Sequence, residues 1–201
     1  MRTLGAAEIE HPGGTLLEHV QRVGLLLKGW GARRDLQLAG LCHAFYGTDG
    51  FATPLLPLES RAELVRRIGA GAEELVYLYA GCDRTASYRG LTSDSGVFRD
   101  RFTGHTFSPD PRQRRDFAEL TAANELDLAG ISPAFRAKSG DGLLRLLTRL
   151  RPLLSDRAWE DTRKILARRQ PDAHGGAPRV NPPGSGAGPE SGGNLFAPRG
   201  H

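Results

Sequence analysis

The chain has 201 residues, enough for one ordinary domain and too few for two comfortable ones. Aromatic residues make up 7%, which argues against a stacking platform for nucleic-acid bases, and the net charge of +4 is dispersed rather than gathered in one basic run. No stretch reaches the ~18 consecutive apolar residues of a membrane span, and the first ten residues lack the basic start and apolar run of a signal peptide, so a cytoplasmic protein is expected, with neither a membrane nor a nucleic acid as partner.

In chain order, residues 1–10 read as a short leader, followed by the turn signal His11-Pro12-Gly13-Gly14. Thr15-Leu16-Leu17-Glu18 has the form of a capping box, and a helix is expected from Leu16 to Gly29 with Leu16, Val20, Val23, Leu26 and Leu27 inward. His19 falls on the edge of that face, and Gly31 is the expected C-cap. Asp35 is expected to cap a second helix, Leu36 to Ala44, which is apolar almost all round and so buried in the bundle. Cys42 and Cys82 lie in apolar helical runs, where free buried thiols are expected.

A third helix is expected from Ser60 to Ile68 and a fourth from Ala72 to Asp83. Thr85 to Arg115 is polar and without a clean period, a long loop that is either functional, for example as a lid, or mobile. Further helices are expected over Phe117–Ala129, Leu143–Leu154 and Ala158–Arg168, with no strand. From Gln170 the chain is rich in Pro, Gly and Ser and poor in apolar spacing, so residues 170–201 read as a disordered tail. The fold class is all-α: one helical domain over residues 11–169.

Three histidines, His11, His19 and His43, fall within the first 43 residues. His19 and His43 lie on successive helices joined by a short turn, so antiparallel packing can bring both imidazoles together. Imidazole is a common ligand for transition metals, and a catalytic metal usually takes a third protein ligand and keeps an open position. His11 is the candidate third ligand; Asp49, Asp83, Glu73 and Glu74 are candidate carboxylates. Just after His43, Tyr46 is a candidate proton donor or acceptor and Thr48 a candidate hydrogen-bond donor to substrate, each set against plain packing or a turn. Asp83 and Arg84 end an apolar helix, where they form an ion pair or meet substrate. Arg61 and Arg84 are the arginines chosen for an anionic group, because guanidinium matches carboxylate and phosphate bidentately.

Leu17-Glu18-His19-Val20 and Leu38-Ala39-Gly40-Leu41-Cys42-His43 resemble the opening of HD-superfamily domains, which bind metals through His and Asp. The stringent-response alarmone hydrolases are one comparison. In them a Phe-Gly-like turn leads into an apolar helix, as Arg67–Val76 does here, and an Ala-Asp pair closes the metal site where this chain has Ala123-Asn124. The pattern His43-x-x-Tyr46-Gly47-Thr48 is also similar to an uncharacterised HD-like group. The resemblance spans roughly Glu10 to Asp127. It departs from the HD pattern where Ala44 replaces the HD aspartate, Gly47-Thr48 the acidic pair and Asn124 the closing aspartate.

The resemblance implies an HD-like helical bundle with one divalent metal ion, iron, manganese or zinc, on His19, His43 and His11, and no dinuclear centre. It implies an enzyme acting on a small polar, anionic substrate, a hydrolase of a nucleotide or phosphoester, with Tyr46, Thr48 and Asp83 catalytic and Arg61, Arg84 and Asn124 at the substrate. The alternatives are an HD-type non-heme iron oxygenase and a non-catalytic ligand-binding or regulatory module.

Overall fold

The computed structural model describes residues 5–93 and 96–167. The expected disordered tail, 170–201, lies outside the described residues.

Helix α1 spans Leu16–Gly29, as its periodicity dictates. Its capping box is formed: Thr15 N–H donates to Glu18 Oε2 at 2.8 Å and Glu18 N–H to Thr15 Oγ1 at 3.3 Å. Residues 5–10 are not a free leader. The carbonyls of Ile9 and Ala6 accept the Leu16 and Leu17 N–H groups, two of the donors a helix start leaves over, and Ala6 is buried. Between them and α1, β1 (Glu10–His11) pairs antiparallel with β2 (Gly14–Thr15), which folds His11 back over the first turns of α1. Trp30, not Gly31, is the C-cap of α1. Gly31 follows in the left-handed region (φ +81°) and lets the chain reverse.

Helix α2 spans Arg34–Cys42. Asp35 is not its cap: Arg33 holds that position, and Asp35 pairs with the Arg33 guanidinium from inside the first turn. The helix ends at Cys42, so His43 becomes the C-cap. Two glycines bring α1 and α2 close. A Cβ on Gly40 would lie 2.5 Å from Leu27 Cδ1 and 3.7 Å from Gly24 Cα, and one on Gly24 would lie 2.9 Å from Leu41 Cδ2. This approach carries the His43 ring to the His19 ring.

After a 3-10 turn (Leu58–Ser60), α3 spans Arg61–Ile68 and α4 spans Ala70–Gly81, with Gly69 at φ +87° between them. Asp83 lies beyond α4 and caps a short α5 (Arg84–Ser87). The segment expected as one long loop contains α5, a hairpin of β3 (Phe98–Arg99) with β4 (Thr106–Phe107), and the first turn of the next helix. Leu91 and Phe98 anchor it in the core, and Arg101 N–H donates to Gly81 O at 2.7 Å.

Helix α6 spans Pro111–Ile131, started by a capping box between Asp110 and Gln113. It is the central helix, with α1, α2, α4, α7 (Pro133–Leu150) and α8 (Asp156–Leu166) around it. From Asp116 to Ala129 every residue of α6 is buried. The core is built from Val23, Leu27, Leu36, Val76, Leu120, Leu126 and Leu147, and Leu16, Val20 and Ala44 form a smaller cluster beside it. The described residues thus form an all-α bundle with two small hairpins. Among the described residues no helix is long and apolar enough to cross a membrane.

Candidate functional site

The inner face of α1, the end of α2 and the middle of α6 meet at one polar spot. His19 and His43 are buried there at 1% and 3% exposure, their ring centroids 5.2 Å apart. Burying polar groups is costly unless each finds a partner, so the partners define the chemistry. His19 Nδ1 lies 2.7 Å from Asp127 Oδ2. Asp127 also accepts a bidentate pair from Arg22, at 2.7 and 3.0 Å. These donors hold its carboxyl below the ordinary range, although burial works the other way. A carboxylate only accepts, so Nδ1 of His19 carries a proton. In the neutral ring Nε2 is then a lone pair, and it faces Asn124 Oδ1 at 3.1 Å.

The Asn124 amide is oriented by its neighbour, since Asn124 Nδ2 donates to Glu125 Oε1 at 3.2 Å. Two acceptors therefore point at each other. A proton on Nε2, a flipped amide beside a protonated Glu125, or a cation that takes both lone pairs would relieve this contact. Burial pushes the Glu125 carboxyl up, with Arg84 opposing.

His43 is held in a similar way. Its Nδ1 lies 2.8 Å from the Gly40 carbonyl, which fixes the proton there and leaves Nε2 as the lone pair. Burial, with His19 nearby, pushes its pKa down to about 3, so the ring is neutral at physiological pH. His11 comes to the same place as a stack: its ring lies over His19 at 4.2 Å with 22° between the planes. Its pKa falls to about 4, by burial and then His19, and its Nδ1 is buried without a hydrogen bond of ordinary geometry. A metal lies near the plane of each imidazole that binds it, so two stacked rings do not converge on one ion. Among the described residues no three His, Cys, Asp or Glu side chains are grouped to hold a metal. The amide oxygen of Asn124 is the further oxygen that stands at His19 Nε2.

The other expected site residues divide. Tyr46 donates to Glu73 Oε1 at 2.9 Å, and Arg61 grips the same carboxylate at 2.7 and 2.8 Å. Both are committed to the buried Glu73 carboxylate. Thr48 Oγ1 accepts the Phe51 N–H at 3.1 Å in a tight turn. Asp83 caps α5 by accepting the Ala86 N–H at 3.0 Å. Asp49 accepts the Arg84 backbone N–H at 3.1 Å. Asn124 sits at the histidines, and Arg84 lies next to it, 3.6 Å from Glu125.

Asp127, Arg22, Glu125 and Tyr79 belong to this site and were not singled out from sequence. Tyr79 lies edge-on to His43, with ring centroids 5.6 Å apart. The run Asn124-Glu125-Leu126-Asp127 held the signal, because three polar residues within a buried central helix must all be partnered. That helix becomes recognisable as central only once the fold is known.

Residues 1–84 match the family model of a domain of unknown function (DUF6817). The match includes His11, His19, His43 and Arg84 and stops short of α6. No curated protein and no solved structure matches the chain.

Proposed function

We propose that this chain is a metal-dependent enzyme, in which His19, His43 and the amide oxygen of Asn124 hold one divalent cation, iron, manganese or zinc. It would act as a hydrolase on a small polar, anionic substrate such as a nucleotide or phosphoester. The observation that carries this reading is the pair of facing acceptors, His19 Nε2 and Asn124 Oδ1, 3.1 Å apart. A cation satisfies both at once.

The surroundings support it. Metal-binding histidines characteristically donate their other N–H to a carboxylate or carbonyl, which fixes the tautomer. Asp127 serves His19 in this way and the Gly40 carbonyl serves His43. The likeness of the His19 and His43 segments to HD domains points in the same direction. Ala44 stands where that pattern has a bridging aspartate and packs with Leu16 and Val20, so the site is mononuclear. Bound there, a metal would polarise the substrate or activate water. His11, neutral and half-buried over His19, would move a proton at the mouth of the site. With two buried free thiols and no membrane-crossing helix among the described residues, we place the enzyme in the cytoplasm.

The test is elemental analysis of the purified full chain beside His19→Ala, His43→Ala and Asn124→Asp. The wild type should hold a single equivalent, lost in both alanine variants while they remain folded. Asn124→Asp should bind more tightly, since a carboxylate supplies the charge that an amide lacks. Iron would direct the reading to oxygen chemistry, and zinc or manganese to hydrolysis. No metal in the wild type or in Asn124→Asp after reconstitution would overturn the enzyme reading. It would leave a non-catalytic ligand-binding or regulatory module, with His19 held between Asp127 and Asn124.

A further inference from the structure

Beside the histidines, α4, α5 and α6 enclose a second polar cluster. Arg84 opens α5 with its side chain only 15% exposed. A guanidinium offers five N–H donors in a fixed fork. Among the described residues the Arg84 side chain donates none of them in a hydrogen bond, and its one ionic contact is Glu125 Oε1 at 3.6 Å. The guanidinium lies 5.9 Å from the Tyr79 ring centre and 6.0 Å from that of Tyr88. The hydroxyls of Tyr79, Tyr88 and Thr121 are buried in the same cluster. Thr121 stands beside Tyr79, and none of the three completes a hydrogen bond of ordinary geometry. Tyr79 is 2% exposed and Thr121 is wholly buried.

Buried polar groups in native proteins are overwhelmingly partnered. Here, among the described residues, the five N–H groups of one guanidinium find no hydrogen-bonded acceptor, its one carboxylate neighbour stands 3.6 Å away, and three buried hydroxyls nearby lack a hydrogen bond of ordinary geometry. The group that completes such a cluster is rich in acceptors and compact. We propose that Arg84, with the hydroxyls of Tyr79, Tyr88 and Thr121, binds a small oxyanion group, a phosphate or carboxylate. Oxyanions are what a guanidinium fork recognises best. Glu125, the carboxylate beside the Arg84 guanidinium, opposes such a ligand.

The cluster adjoins the histidines through Tyr79, whose ring meets His43, and through Asn124, which contacts both His19 and Glu125. The site therefore holds the anionic end of the substrate of the proposed enzyme. It rests on that reading only for what happens to the anion afterwards, because binding requires no metal.

The experiment titrates the full chain with inorganic phosphate and, separately, acetate, by calorimetry and thermal shift, against sodium chloride at matched ionic strength. One of the two anions should bind and raise the melting temperature above the chloride control. Phosphate would assign a phosphoester end and acetate a carboxylate end. Affinity should fall at least about tenfold in Arg84→Gln and by about threefold to tenfold in Tyr88→Phe or Thr121→Val, and should rise in Glu125→Gln. Chelator-treated protein should bind equally well, so a missing metal and a missing anion site are told apart. No stabilisation beyond chloride by either anion, or equal stabilisation in Arg84→Gln, overturns the proposal. If Arg84→Gln does not fold, Tyr88→Phe decides, since it removes only an unpartnered hydroxyl.

Discussion

Two clusters in this molecule are built from the same three residue types and differ in how completely they are paired. In one, Glu73 accepts two bonds from Arg61 and one from Tyr46, at 2.7, 2.8 and 2.9 Å, and the Arg61 guanidinium also stacks on Tyr77 at 3.9 Å. In the other, Arg84 stands 3.6 Å from Glu125 while the hydroxyls of Tyr79 and Tyr88 complete no hydrogen bond of ordinary geometry. The first has the saturation of a structural ion pair, in which the buried Glu73 carboxylate is matched by three hydrogen bonds. The second leaves the Arg84 guanidinium without a hydrogen bond among the described residues, next to Glu125 and through Asn124 to His19. Arginine, glutamate and tyrosine together do not mark a site; what sets the second cluster apart is a guanidinium whose N–H groups have no hydrogen-bonded acceptor among the described residues.

The largest expected effect tests this contrast directly. Glu73→Gln should cost about 2 kcal/mol, because it weakens three hydrogen bonds to a buried carboxylate while Arg61, its side chain 39% exposed, stays solvated. Glu125→Gln should cost under about 1 kcal/mol, because the ion pair it loosens is long and the amide keeps the shape. Urea unfolding of both variants at neutral pH measures the difference. Equal losses would make Arg84–Glu125 a structural pair like its counterpart and remove the contrast.

The helices of this bundle were largely legible because their signals are local. The capping box at Thr15 and the spacing of Val20, Val23 and Leu27 fix α1, and they put His19 where His43 can meet it. What was not legible came from tertiary partners. Asp127 meets His19 across 108 positions of chain, a pairing no periodicity reports. Glu119, Asn124, Glu125 and Asp127 are residue types expected at a wet surface, yet α6 is central and buries them all. Tyr46 is a candidate because it follows His43 at the helix end and Arg61 because a guanidinium suits an anion; their bonds to Glu73 are tertiary contacts that neither signal reports. The start of α6 was readable and missed. Asp110-Pro111 with Gln113 is a cap, a first-turn proline and a capping box, but the polar composition around it reads as loop.

A smaller effect separates the tyrosines. Tyr46→Phe should cost about 1 kcal/mol, the net worth of a buried hydrogen bond to a charged acceptor after Glu73 keeps its two bonds from Arg61. Tyr79→Phe should be neutral or nearly so in the ligand-free protein, because its buried hydroxyl has only Thr121 beside it and completes no hydrogen bond of ordinary geometry. A loss for Tyr79→Phe as large as that for Tyr46→Phe would show that its hydroxyl is already satisfied.

The smallest expected effect sits on the saturated side and depends on pH. Asp100 Oδ2 accepts the Tyr77 hydroxyl at 2.7 Å and Oδ1 accepts the Phe102 N–H at 2.8 Å. Burial alone would raise the Asp100 carboxyl, but these bonds and those from Thr103 outweigh it, and its pKa lies below the ordinary 3.8. The folded chain thus binds this proton less readily than the unfolded chain does, so stability rises with pH across the gap between the two values. The contribution of Asp100 is present in full above the unfolded value and is lost as pH falls through the folded one. Asp100→Asn should therefore cost up to about 1 kcal/mol at pH 7, and the cost should shrink as the pH drops below 3.8. Thermal unfolding of both proteins from pH 7 down to pH 3 reads this as two curves that approach each other on the acid side. Parallel curves would mean that the bonds to Asp100 do not favour its ionised form, and the hydrogen bonding of the saturated side would then be no better matched to charge than that around Arg84.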